Sequence, residues 1–133
     1  MKSINFDTGY KSYIVNGDEN SVVKINVSDL DLPGRMTAFY DELDRIYKEY
    51  KKKGMTAEDL RALDKPMREK LNETFGLDIS TPAFGAVNCM SLLISGSTVL
   101  QSFLEALMPI ISDDVAEYRS ALIRKYLPEE NAP

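Results

Sequence analysis

The 26 residues between Asp78 and Glu105 carry no charged side chain, and this gap constrains the fold more than any other feature of the sequence. Charged residues make up 28% of the chain, so an ion-free segment of this length avoids either water or ions. It is interrupted by Pro82, Gly85 and Gly96, which break regular structure. No run of 18 apolar residues occurs in it, so it is not a membrane-spanning helix. By itself the segment is either part of a buried core or a surface that docks another subunit or partner.

The chain length predicts one domain over 1–133, because 133 residues suffice for a single core without disulfides or metals. We expect a β-rich element over 1–30, a helical body over 31–127 and a frayed tail over 128–133. The lone Cys89 fits a reducing compartment, and the start of the chain lacks a basic, apolar leader. A cytoplasmic location is therefore expected.

The first 30 residues predict a small antiparallel β-hairpin or meander. Alternating apolar residues at 4–6, at 10–15 and from 21 onward are typical of three short strands. Residues 16–18 read Asn-Gly-Asp, a strong turn signal between the last two strands. The fold class is therefore α+β, with this β element preceding three to five helices.

Helix one should begin near Leu32, with Asp29 or Asp31 as its cap, and end before Gly54. A second helical pattern opens at Thr56. It contains Pro66, which predicts a kink or a break into two short helices, and it ends at residue 76.

A long final helix follows, capped by Ser95 or Ser97 and bent at Pro109. Its helical period predicts one apolar stripe. The expected buried positions are Leu100, Phe103, Leu104, Leu107, Ile111, Val115, Tyr118, Leu122 and Tyr126.

The residue inventory argues against an enzyme, and we assign no catalytic, cofactor-binding or metal-binding residue. Histidine is absent, which removes the commonest general base and metal ligand and leaves Cys89 without a catalytic partner. Asp113 and Glu117 lie one helical turn apart and have the spacing to share a cation, but solvated surface charge explains them better. The net charge of −5 argues against nucleic-acid binding.

The final helix is apolar on more than one side, and a domain of this size has limited interior to cover it. This pattern favours self-association over a purely internal role. We predict a partner interface formed by Phe103, Leu107, Met108 and Ile111, because methionine suits imperfectly matched neighbours. The strands within residues 10–27 would be available for edge pairing between subunits.

Five stretches carry a resemblance to a known class of protein. They are residues 4–13, the Val-Asn-Gly at 15–17, and residues 29–35, 84–88 and 103–109. Over nearly its full length the chain resembles tail assembly chaperones encoded in the tail modules of phages and prophages of Gram-positive bacteria. The resemblance implies a non-enzymatic cytoplasmic helper, absent from the finished virion, with a β element, a helical body and a tendency to build rings or spirals.

The resemblance implies two partners. The chain would hold the long tape-measure protein soluble, and it would bring tail-tube subunits to the tape-measure protein. The resemblance implies no membrane partner and no cofactor. Two other functions remain open at this point. One is a structural tail or head–tail connector component that stays in the virion, and the other is a small inhibitor or adaptor that binds one partner.

Overall fold

The computed structural model of the chain describes residues 1–126. Within them, a two-stranded antiparallel hairpin precedes five helices, which confirms the α+β class and the predicted order of its parts. The predicted frayed tail lies outside the described residues. The elements are β1 Tyr10–Val15, β2 Asp18–Asn26, α1 Leu32–Lys53, α2 Ala57–Ala62, α3 Asp64–Phe75, α4 Ser80–Phe84 and α5 Val99–Tyr126.

The hairpin turns through two residues in the left-handed region, Asn16 at φ 52° and Gly17 at φ 71°. Two such residues in succession match the right-handed twist of the flanking strands, which is why Asn-Gly predicts this turn. Val23 and Ile25 of β2 face the core and are fully buried. The strand expected at residues 4–6 is wrong, because residues 1–8 lie outside any strand. The β element is a hairpin and not a meander.

Helix α1 has the predicted bounds, beginning at Leu32 and ending before Gly54, which adopts φ 62°. The predicted side-chain cap is wrong. Asp31 occupies the cap position but accepts no capping bond. The Asp29 carboxylate accepts from the Asp31 N–H at 2.9 Å and pairs with the Arg35 guanidinium at 2.5 Å, so it too is unavailable to cap the helix.

The second helical pattern breaks into α2 and α3 at Leu63, as one of the two predicted outcomes. Pro66 therefore lies in the first turn of α3, where the backbone N–H that proline lacks would have no helical partner anyway. Thr56 caps α2 in a reciprocal arrangement with Asp59.

The charge-free segment is held by two charged side chains from α3. The Asp64 carboxylate accepts from the Cys89 N–H at 2.8 Å. The Arg68 guanidinium donates to the carbonyls of Gly85 and Val87 at 3.0 and 2.6 Å and pairs with Asp64 at 3.0 Å. A loop without ions of its own is thus fixed by an ion pair on a neighbouring helix.

The charge-free segment is partly buried core and partly exposed surface. Ile79, Cys89, Met90 and Leu100 are fully buried in the core. Phe84 and Leu104 of the segment are buried as well, whereas its Val87, Leu92, Leu93 and Ile94 lie on the surface.

Helix α5 begins after Thr98, whose hydroxyl accepts from the Gln101 N–H at 3.1 Å, so the predicted caps at Ser95 and Ser97 are wrong. Four residues of the predicted stripe are buried: Leu100, Leu104, Leu107 and Ile111.

The predicted burial of Leu122 and Tyr126 is wrong, since these side chains are 53% and 64% exposed. With 28 residues, α5 is about 42 Å long against about 33 Å for α1. Its last turns therefore extend beyond the side chains that would cover them.

Replacing Arg68 tests how the charge-free segment is fixed. We expect Arg68→Met to lower the free energy of unfolding by about 2 kcal/mol, because it removes charged hydrogen bonds to two loop carbonyls and leaves Asp64 without its cation. Urea titration followed by circular dichroism measures the change. Arg45→Met is the matched control, since Arg45 is exposed and pairs only with two glutamates of its own helix, and its effect should stay within about 0.5 kcal/mol. Equal effects of the two substitutions would contradict this account.

Candidate functional site: two grooves along the last helix

Helix α5 has an apolar groove on each flank. The hairpin–α5 groove, with a volume of about 390 Å³, lies between β1, α4 and α5. The α1–α5 groove, with a volume of about 420 Å³, lies between the first half of α1 and the middle of α5. Both grooves arise because α5 touches the core along a narrow stripe while its neighbours diverge from it on either side.

The hairpin–α5 groove is lined by no charged side chain. Ile14 points to the opposite face of the hairpin from Tyr13 and Val15, yet all three line the groove. Asn16 of the turn and Val23 of β2 line it as well, so the groove lies at the turn end of the hairpin. Its far wall includes Phe103, which packs edge-to-face on Phe84 with ring centroids 5.4 Å apart.

The α1–α5 groove resembles a trough between two helices. Met36 and Met108 contribute flexible thioether side chains to it, and Arg119 is its single charged lining residue. A smaller cavity of about 250 Å³ continues it past Val115 towards Leu30. The other apolar lining residues of the main groove are Leu32, Pro33, Tyr40, Ile111, Val115 and Ala116.

The four predicted interface residues do not form one surface. Phe103 and Leu107 line the hairpin–α5 groove, whereas Met108 and Ile111 line the α1–α5 groove. Leu107 and Ile111 are only 5% and 2% exposed and belong to the core of this chain, so their assignment to a free surface is corrected. Phe103 and Met108 are half-buried and pack against the core.

The sequence reasoning missed the exposed apolar side chains that border the hairpin–α5 groove. Ile14, Leu93 and Ile110 line it and are each about half exposed. Ile94, next to Leu93, is fully exposed. A detectable signal existed for Ile110, since it lies outside the helical stripe that predicts the core.

A polar clasp joins the hairpin to α5 beside the hairpin–α5 groove. The Tyr13 hydroxyl donates a short hydrogen bond to Asp114, and the Lys11 ammonium lies 3.3 Å from the same carboxylate and 3.6 Å from Glu117. The hydrogen bond from Tyr13, followed by that from Lys11, holds the pKa of Asp114 below its usual range despite partial burial. Burial and the Asp114 hydrogen bond raise the pKa of Tyr13, and Asp114 also raises the pKa of Lys11. The clasp is therefore charged and closed at neutral pH.

Cys89 is the nucleophile that the sequence analysis weighed, and it is buried against α3. Burial raises the pKa of its thiol to about 12, and the Asp64 carboxylate adds to that effect. Within residues 1–126, no three His, Cys, Asp or Glu side chains come together as a metal site. In the same part of the chain, no helix combines the length and apolarity needed to cross a bilayer.

The clasp predicts a specific dependence of stability on pH. Because the pKa of Asp114 is lowered in the folded state, its contribution is present above the ordinary carboxyl value of about 4 and is lost as the pH falls below it. We expect Asp114→Asn to lower the free energy of unfolding at pH 7, and the gap from the unsubstituted protein to narrow as the pH falls below about 4. Urea titrations between pH 7 and pH 3 measure this gap. The neighbouring Asp113→Asn is the control, and its free energy of unfolding should not differ from that of the unsubstituted protein. If the difference caused by Asp114→Asn does not change with pH, the clasp is refuted.

Cys89 should be chemically inert in the folded protein. With its pKa near 12, the thiolate is scarce at pH 8, and we expect iodoacetamide to modify it at least about 1,000-fold more slowly than an ordinary thiol. Mass spectrometry of the alkylated chain measures the rate, with the urea-unfolded chain as the reference. A native rate within tenfold of the unfolded one would show that Cys89 is accessible and activated.

Comparison of the chain with models of protein families, with curated proteins and with solved structures gives no match.

Proposed function

We propose that this protein is a non-enzymatic tail assembly chaperone of a phage or prophage. It acts in the bacterial cytoplasm, associates with copies of itself, shields apolar segments of the tape-measure protein and recruits tail-tube subunits. The resemblance described above supplies the class, and the two grooves beside α5 supply a physical means. It binds neither nucleic acid nor membrane in this role, in keeping with its net charge of −5.

The observation that carries the proposal is the α1–α5 groove. A trough between two helices accepts a third helix whose apolar face is laid into it. Its lining on α1 extends from Leu32 to Tyr40, which spans about 12 Å, or two turns of a bound helix. Met36 and Met108 adapt to side chains of different shapes, so the groove suits many apolar segments of one long client.

A tape-measure protein presents the corresponding problem. Such a chain is long and helical, and its apolar stripes are exposed until the tail tube encloses them, so they promote aggregation. The groove would cover about two turns per chaperone, and repeated copies would cover a longer stretch. Arg119 stands among the apolar lining residues and would pair with a carboxylate at the edge of the client's stripe.

The groove is tested by placing a charge in it without disturbing the core. Ala116 lines the α1–α5 groove and is exposed, so Ala116→Lys should leave the fold intact while blocking a client helix. We expect it to reduce by at least about tenfold the soluble fraction of a co-expressed tape-measure protein, since a buried, unpaired charge opposes docking. Ala121→Lys is the matched control, because Ala121 is exposed on the same helix and lines neither groove. Equal solubility with both variants would refute this groove as the client site.

The composition of purified particles separates this proposal from its main competitor. A chaperone leaves before the tail is complete, so quantitative mass spectrometry should not detect the chain in mature virions. Stoichiometric presence would instead establish a structural tail or head–tail connector component.

A further inference from the structure

The first eight residues lie outside any helix or strand and form an arm that the rest of the domain leaves exposed. Ile4 and Phe6 are 86% and 76% exposed, although both are large and apolar. They are two residues apart, so in an extended chain their side chains lie on the same face. Residues 3–6 carry no charge, and within residues 1–126 no hydrogen bond joins residues 1–6 to the body of the domain.

The base of the arm is anchored beside the end of β2. The Thr8 carbonyl accepts from the Asn26 amide at 2.9 Å and from the Ser28 hydroxyl at 3.4 Å, both at the end of β2. Gly9 bends the chain there at φ 90°, and a Cβ at this position would overlap the Ser28 hydroxyl at 1.8 Å. The base of the arm therefore lies beside the end of β2, whereas the free edge of the hairpin is that of β1.

That free edge is a receptor for an extended segment. Within the described residues β1 pairs with β2 alone, so backbone groups along its other side remain available for an added strand. The hairpin–α5 groove is lined in part by residues of β1, and neither it nor the Ser-Ile-Asn-Phe portion of the arm carries a charged side chain. On its α5 wall, Phe103 and Ile110 are separated by about 10 Å, enough to receive two side chains spaced about 7 Å apart.

We propose that the arm of one copy of this chain inserts as an added strand into the hairpin–α5 groove of a second copy, with Ile4 and Phe6 as its anchors. This inference rests on the self-association in the proposed function and specifies its surface. Covering the two anchors removes roughly 300 Å² from each arm and a similar area from its groove. One contact thus buries about 600 Å², and two bury about 1,200 Å², the lower limit for a specific complex. The area favours a closed dimer in which both arms are exchanged.

The first experiment measures self-association of the full chain, without any client, by light scattering after size exclusion over a concentration series. We expect the double variant Ile4→Asp with Phe6→Asp, and separately Ile110→Asp, to weaken dimerisation at least about 100-fold. Leu30→Asp is the control and should dimerise normally, because Leu30 is exposed but lies outside this groove. Circular dichroism checks the fold, and Ile14→Lys replaces Ile110→Asp if that variant unfolds. The proposal is overturned if the unsubstituted protein is monomeric. It is also overturned if the double variant of the arm dimerises as strongly as the unsubstituted protein.

The second experiment asks where the arm goes. A chain with Phe6→Cys is mixed with a longer, tagged chain with Ile110→Cys and oxidised, while buried Cys89 remains unreactive. We expect the mixed disulfide to exceed either symmetric disulfide at least tenfold. Predominance of the Phe6→Cys homodimer, or no cross-link above background, overturns the arm–groove contact. These two assays contain no client, so a negative result in them does not affect the α1–α5 groove as the client site. Conversely, a negative result in the client solubility test does not affect the arm–groove contact.

Discussion

A single row of four buried side chains, Leu100, Leu104, Leu107 and Ile111, fixes the last helix to the domain, and both grooves follow from the narrowness of that row. At roughly 2 kcal/mol for each buried side chain, the row suffices to dock the helix. A wider apolar face would have drawn the hairpin and α1 closer and closed the space beside it. The clasp around Asp114 adds a directional contact beyond the row, so the helix stays docked while its flanks remain open.

Features governed by neighbours in the sequence were predictable. The Asn-Gly turn, the end of α1 at Gly54 and the break before Pro66 depend on local backbone preferences, which each residue carries wherever it stands. The caps were not predictable, because tertiary contacts engage the residues concerned. Arg35, which pairs with Asp29, also donates to the Thr74 carbonyl, and the Thr98 hydroxyl at the start of α5 bonds the Tyr47 hydroxyl. The interface prediction failed in the same way. Periodicity places Leu107 and Met108 on adjacent positions of one helix but does not tell which neighbour lies on which side.

The charge-free segment shows why composition alone left two interpretations open. Its buried and exposed parts are equally apolar, so nothing in their residue types distinguishes Met90 from Ile94. The distinction comes from α3, where Asp64 and Arg68 bind the backbone of residues 85–89 and fix which side chains turn inward. Charges absent from the segment are thus supplied by two residues of α3, Asp64 and Arg68, that precede it by more than ten positions.

The placement of the two grooves on opposite flanks of α5 gives the proposed assembly a simple logic. Self-association through the hairpin–α5 groove leaves the α1–α5 groove of each subunit unobstructed, so a closed dimer carries two client sites in a fixed relation. A long client that occupies one site meets the second at a high effective concentration, which raises the overall affinity without any new contact. In the proposed function, individually weak grooves would therefore suffice to hold a long helical chain.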